Sequence, residues 1–388
     1  MCIFILGLFF ARQLWRRGLT TLGDLYVQRF GSGVSQLAVI VMVPTSVIWA
    51  AAQIRAFGQV LSANSQLTVD YASGFAALIV IAYTVLGGLL ADVVSDLVQG
   101  VVLIAGLLIL CVTVLFNVPE SADLASALTP ERLALRADGE SWLSVIDGWS
   151  IPFIGSLFAA ELVSRMLAAR SPGVAVGGAL TGGLIYLLIG LLPLSLGLLG
   201  PALIPGLENG EQILPLLALQ YLPNWLYVIF IGALVSAILS TVDSALLNAG
   251  SLVSHNLVLP YLPGTDEHHK VRYARLAVFS FGIIAYVLAV NADSVYGLVE
   301  ESSAFGSAGI FTCCLMGLTQ RRVGRVTATA TILVGMLSYG TLAYLTQVEY
   351  AYLISLLSAL ITFLTLMWFE PGAVNSGRSV PNRITVLQ

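Results

Sequence analysis

Residues 231 to 258 read IGALVSAILSTVDSALLNAGSLVSHNLV, an apolar stretch that carries Ser236, Ser240, Thr241, Asp243 and Ser244. So apolar a run reads as a membrane helix, which puts a carboxylate and several hydroxyls at hydrocarbon depth. Ser236, Ser240, Asp243 and Ser244 recur at three- and four-residue spacing and share one helical face, with Thr241 at its edge. A sodium ion sheds its water only when the protein supplies several oxygens at short range. Hydroxyls and the main-chain carbonyls of interrupted helices can do so without a full charge. The bland alternative for each hydroxyl is a bond back to the carbonyl one turn earlier. Asp243 needs more: an ionisable group at that depth requires a cation, a proton or a polar partner. Asp96 is the second such carboxylate, one turn into its own span. If Asp96 and Asp243 are close, they share a proton or hold a cation between them.

The elements that position these residues follow from composition. Hydrophobic residues make up 58% of the 388 and charged residues 10%, and the mean hydropathy is +0.92. That is the balance of a polytopic membrane protein, not of a soluble domain. The unbroken apolar runs specify helices, because a barrel would show short alternating segments. Spans are expected near 36 to 62, 72 to 90, 93 to 116, 148 to 164, 173 to 199, 225 to 250, 273 to 291, 296 to 317, 326 to 345 and 351 to 369, after a partial one at 2 to 11. These make one transmembrane domain over 1 to 370, followed by a polar tail at 371 to 388.

Of the seventeen basic residues, fourteen fall on one side when the segment after the first partial span is placed in the cytoplasm. They include Arg12, Arg16, Arg17, Arg29, Arg165, Arg170, Arg325 and Arg383. Only Arg132 and Arg136 fall outside, and Arg55 lies within a span. The carboxyl terminus is therefore expected in the cytoplasm. The opening MCIFILGLFFARQLWRR places its apolar residues before its basic cluster, the reverse of a signal sequence. Cys2, Cys111, Cys313 and Cys314 show neither metal spacing nor a disulfide pattern. No His-Glu-x-x-His, phosphate-cradling glycine loop or nucleophile beside a histidine occurs, so neither an enzyme nor a nucleic-acid partner is expected.

Local signals are weaker. GLTTLGDLYVQRFG at 18 to 31 pairs a threonine cap with Asp24 and reads as an amphipathic helix at the cytoplasmic interface. The next span carries Trp49 and Gln53, speculative solute contacts, and Arg55, which should face water or a carboxylate. Gly87 and Gly88 permit a tight reversal, and Asp92 then sits near a helix start as a structural charge. A short helix is expected near 129 to 136, and an interfacial or re-entrant element over 200 to 224. Glu161 and Arg165, four apart, pair with each other or with loop groups. Glu300 and Glu301 begin the helix of SSAFGSAGIFTCC, whose small residues let another backbone approach closely.

The order of LTTLGDLYVQRFG, YTVLGGLLADVVSDLVQG, AAELVSRMLAARS, SAILSTVDSALL and a small-residue helix before LMGL resembles the sodium/solute symporter family, which includes sodium/proline and sodium/galactose symporters. The likeness runs over nearly the whole chain. It implies an all-helical fold of two inverted five-helix repeats, here lacking the outer helix and the first core helix. It implies a sodium ion as coupling ion, held by the Ala237 carbonyl and the Ser240 and Thr241 hydroxyls together with carbonyls of the absent helix. A second site in some relatives matches Asp96, Ser240, Asp243 and Ser244, where those relatives carry a hydroxyl at the place of Asp243. That extra carboxylate strengthens cation binding or supports proton coupling. The implied activity is sodium-driven symport of a small organic solute across the inner (plasma) membrane, with lipid around it. The alternatives are a non-transporting scaffold or solute sensor, or half of a split transporter whose amino-terminal helices form a separate chain.

Overall fold

A computed structural model describes residues 1–63, 65–86, 89–119, 127–207, 209–262, 266–319 and 323–370, without the side chains of 86–95 and 267. Gly87, Gly88, the Asp92 side chain, Arg321, Arg322 and the tail with Arg378 and Arg383 lie outside the described residues. Every described element is helical. This follows from the solvent: in hydrocarbon each main-chain amide and carbonyl needs a partner, and a helix supplies one within the segment.

The chain opens with α1 (residues 2–16, with a π turn at Leu6–Phe10), α2 (Leu22–Phe30), α3 (Ser32–Ser62), α4 (Val69–Leu86) and α5 (Leu89–Phe116). There follow α6 (Trp142–Leu157), α7 (Ala160–Leu167), α8 (Pro172–Leu203), α9 (Ile213–Tyr221) and α10 (Asn224–Leu252). The last five are α11 (Glu267–Asn291), α12 (Val295–Ala304), α13 (Ser307–Thr319), α14 (Arg325–Gly340) and α15 (Ala351–Phe369). Among the described residues, eight spans are long and apolar enough to cross a membrane, and the bent pair α12–α13 makes nine. Helix α4 is a shorter apolar helix at the place of another expected span. With this many apolar helices the chain is a multi-pass membrane protein. The short helix of the first long loop is Pro130–Leu133, capped by Thr129. Residues 120–126 of that loop lie outside the described set.

Two spans that hydropathy reads as continuous are interrupted. The 148 to 164 span breaks at Phe158–Ala159 between α6 and α7. The 296 to 317 span bends by 42° between α12 and α13. Gly306 makes that elbow possible: its φ is +66°, and a Cβ there would lie 2.1 Å from Val41 of α3. Its helix begins at Val295 under a Ser294 cap, so Glu300 and Glu301 do not start it. Both sit in its second half, where Glu301 accepts a hydrogen bond from Tyr344. The breaks also meet: a Cβ on Gly155, near the end of α6, would lie 2.0 Å from the Ser303 carbonyl oxygen.

Helix α10 packs on α3, α4, α5 and α11. Helix α2 is no surface helix, for six of its nine residues are buried. Its apolar face is satisfied by protein instead of lipid, and Tyr26 donates to the Ile310 carbonyl at 2.9 Å. Arg55 is half-buried and bonds to main-chain carbonyls. Its guanidinium donates to the carbonyls of Ala289 and Asp293 at 2.9 and 3.1 Å, capping the end of α11, where unpaired carbonyls attract a cation.

Candidate functional site

The oxygens of α10 gather on one turn. Ser240 Oγ donates to the Ala237 carbonyl at 3.0 Å and Thr241 Oγ1 donates to the same oxygen at 2.9 Å. Two hydroxyl oxygens thus lie within hydrogen-bond reach of one carbonyl oxygen. Both hydroxyls are half-buried, so the turn is neither sealed in dry packing nor turned fully outward. The back-bond to the preceding turn is the arrangement expected of any membrane-helix hydroxyl. It also leaves the hydroxyl lone pairs pointing away from the carbonyl, available to a cation. Asp243 lies on the buried side of the helix at 6% exposure.

Asp96 and Ser244 are brought together by a third residue. Arg165 of α7 places Nη2 2.9 Å from Asp96 Oδ2 and 2.8 Å from Ser244 Oγ. A carboxylate on α5 and a hydroxyl on α10 therefore share one guanidinium. Asp96 Oδ1 is buried and accepts no hydrogen bond among the described residues. Arg165 does not pair with Glu161, although the two stand one helical turn apart. Glu161 instead accepts a hydrogen bond from Ser46 of α3.

Glu161 opens onto a cavity of about 310 Å³ between α1, α3, α8 and the two helix breaks. Trp49 lines it, whereas Gln53, one turn further along α3, does not. The α10 oxygens do not line it either, so the candidate ion turn and the cavity are separate features. Phe158, Glu161, Tyr186 and Phe305 are lining residues that hydropathy did not single out. Their common signal is position: each lies at a helix break or faces one, and neither break has a proline to announce it.

At the far end of α10, which continues through a π turn at Val253–Val258, a polar knot ties it to α2. Asp24 Oδ2 accepts from the amides of Thr20 and Thr21 at 2.8 and 3.1 Å, the cap read from the sequence. Its Oδ1 accepts from Asn256 at 3.1 Å and lies 3.2 Å from His255 Nε2. Burial pushes the Asp24 carboxyl up, but His255 and the two amides outweigh it and hold it below the usual carboxylate range.

A family model described as the sodium:solute symporter family matches residues 1–335. The high-affinity choline transporter 1 of Torpedo marmorata is 27% identical over 315 residues, covering 76% of this chain and 53% of that protein. The sodium/pantothenate symporter of Haemophilus influenzae is 25% identical over 261 residues, covering 64% of this chain and 53% of that protein. The chain thus spans about half the length of the curated relatives it matches. A solved sodium-coupled sialic acid symporter, in a substrate-bound outward-open state, superposes with a TM-score of 0.80 at 17% identity, covering 96% of this chain and 82% of that one. The all-helical transporter fold expected from the motifs is therefore the fold observed. With its family model spanning most of its length, the chain belongs to the sodium:solute symporter family.

Proposed function

We propose that this chain takes part in sodium-coupled symport of a small organic solute across the plasma membrane, with its carboxyl terminus in the cytoplasm. The observation that carries this reading is the gathering of Ser240 and Thr241 on the Ala237 carbonyl in a helix of a sodium:solute symporter family member. Ala237, Ser240 and Thr241 hold the coupling sodium. Asp96, Asp243 and Ser244 form a second cation position, and Arg165 fills it with its own charge in this conformation. A second sodium enters when α7 withdraws the guanidinium. Inward sodium movement supplies about 2.3 kcal/mol per charge for each 100 mV of membrane potential, which drives the solute with no covalent chemistry.

The names of the relatives leave the solute's charge open, since choline is a cation and pantothenate and sialic acid are anions. The test of coupling is sodium-22 entry into proteoliposomes at a fixed inside-negative potential. The wild-type chain is expected to carry sodium above protein-free vesicles and Thr241→Ala to carry much less. Equal flux in wild type, Thr241→Ala and empty vesicles contradicts the proposal.

A further inference from the structure

We infer that the cavity at the two helix breaks is a binding site for a small organic monocation, a conclusion that rests on its being the solute site of the proposed symport. Four properties of its wall lead there. The first is charge. Among the described residues Glu161 is the only ionisable acid or base of ordinary physiological charge on the lining, and it takes part in no ion pair there. Its one hydrogen bond comes from the neutral Ser46 hydroxyl. Glu161 sits in the first turn of α7, where the helix end supplies the equivalent of roughly +0.5 charge. About half a negative charge is left for a ligand to balance, in a setting where an unbalanced charge is costly.

The second property is the direction of the hydroxyls. Thr45 donates to the Met42 carbonyl at 2.6 Å, and Ser302 and Ser303 donate to the Val299 carbonyl at 2.8 and 3.1 Å. With their protons turned into the helices, these three lining residues offer the cavity only lone pairs. These three side chains thus present acceptors, which suit a positive ligand.

The third is the aromatic share of the lining: Trp49, Phe158, Tyr186 and Phe305 come from four separate segments around the space. Ring faces attract cations, and ammonium groups without N–H donors are recognised chiefly in this way. The fourth is size. A volume of about 310 Å³ holds about ten waters at ~30 Å³ each, enough for a solute of roughly that many heavy atoms. An anion would find no Arg or Lys here. A monocation satisfies all four.

The experiment measures equilibrium binding to the full chain in lipid nanodiscs with sodium present. The probes are choline, its neutral isostere 3,3-dimethylbutan-1-ol, proline and pantothenate. Choline is expected to bind saturably and at least tenfold more tightly than each of the other three. Glu161→Gln is expected to weaken choline at least tenfold, with Glu161→Asp recovering part of the loss. Equal binding of choline and the neutral isostere to the wild-type chain overturns the inference, and that comparison needs no variant. Tighter binding of proline or pantothenate, or no choline binding, also overturns it. The sodium-induced rise in melting temperature is read in parallel. If sodium stabilises the chain and choline does not bind, the cation assignment fails and sodium coupling stands. If sodium has no effect either, the symport proposal fails with it.

Discussion

The Arg165 guanidinium lies 2.9 Å from the Asp96 carboxylate, joining α7 to α5, and the same nitrogen reaches Ser244 on α10 at 2.8 Å. In the proposed symport this guanidinium takes the place of the second cation, and helix α7 follows directly from a break. Its position on a short segment, half-exposed at 44%, lets the charge leave without unfolding a long helix.

Arg165→Gln removes that charge and leaves Asp96 without its counter-ion. The variant is expected to be less stable than wild type in potassium and to regain stability in sodium. At sodium tenfold above its dissociation constant, the regained stability is about 1.4 kcal/mol. Thermal unfolding in the two salts checks this. The added sodium response should disappear in the Asp96→Asn/Arg165→Gln double variant. An identical sodium response in wild type and Arg165→Gln would sink the competition between arginine and ion.

Gly306→Ala is expected to cost about 3 kcal/mol or more, because a positive φ and the Val41 overlap act together. Adding Val41→Ala relieves the overlap and leaves the backbone term. The double variant should therefore melt between Gly306→Ala and wild type. Full recovery by Val41→Ala would mean that the elbow needs no left-handed residue.

Glu370 just beyond α15 ties down the start of α14, accepting from the Val326 and Thr327 amides at 3.0 and 2.9 Å and from the Thr327 hydroxyl at 2.6 Å. Partial burial raises its carboxyl, but these bonds outweigh it and hold the group below the usual carboxylate range. A depressed folded value means that the stabilisation is complete above the unfolded value. It is lost as pH falls through the folded one. Glu370→Gln is expected to lower stability by about 1 kcal/mol near neutral pH, with the gap to wild type closing in acid. A gap that stays constant down to strongly acidic pH would contradict the cap.

Much of this architecture was legible in the residues. The apolar runs became helices because hydrocarbon leaves an apolar run little choice. Thr20, Thr21 and Asp24 announced their cap because every partner lies within one turn. The pairing of Arg165 was not legible. A helical i,i+4 rule favoured Glu161, while the real partners, Asp96 and Ser244, stand 69 and 79 residues away in sequence. The breaks at Phe158–Ala159 and Phe305–Gly306 were hidden too. No proline marks either, and only packing against Ser303 and Val41 shows why glycine stands at 155 and 306. Arg55 was expected to face water or a carboxylate, and the carbonyls at the end of α11 are partners that the sequence could not place beside it.

In the proposed symport, sodium is held on the Ala237 turn of α10. The most direct measurement is calorimetric titration of sodium chloride against potassium chloride on wild type, Ser240→Ala, Thr241→Ala and the control Ser280→Ala. Ser280 makes the same kind of back-bond, 2.9 Å to the Leu276 carbonyl, on the exposed face of α11. Ser240→Ala and Thr241→Ala are each expected to weaken sodium at least tenfold, about 1.4 kcal/mol, while Ser280→Ala binds it like wild type. Sodium affinity unchanged in Ser240→Ala and Thr241→Ala would contradict that placement.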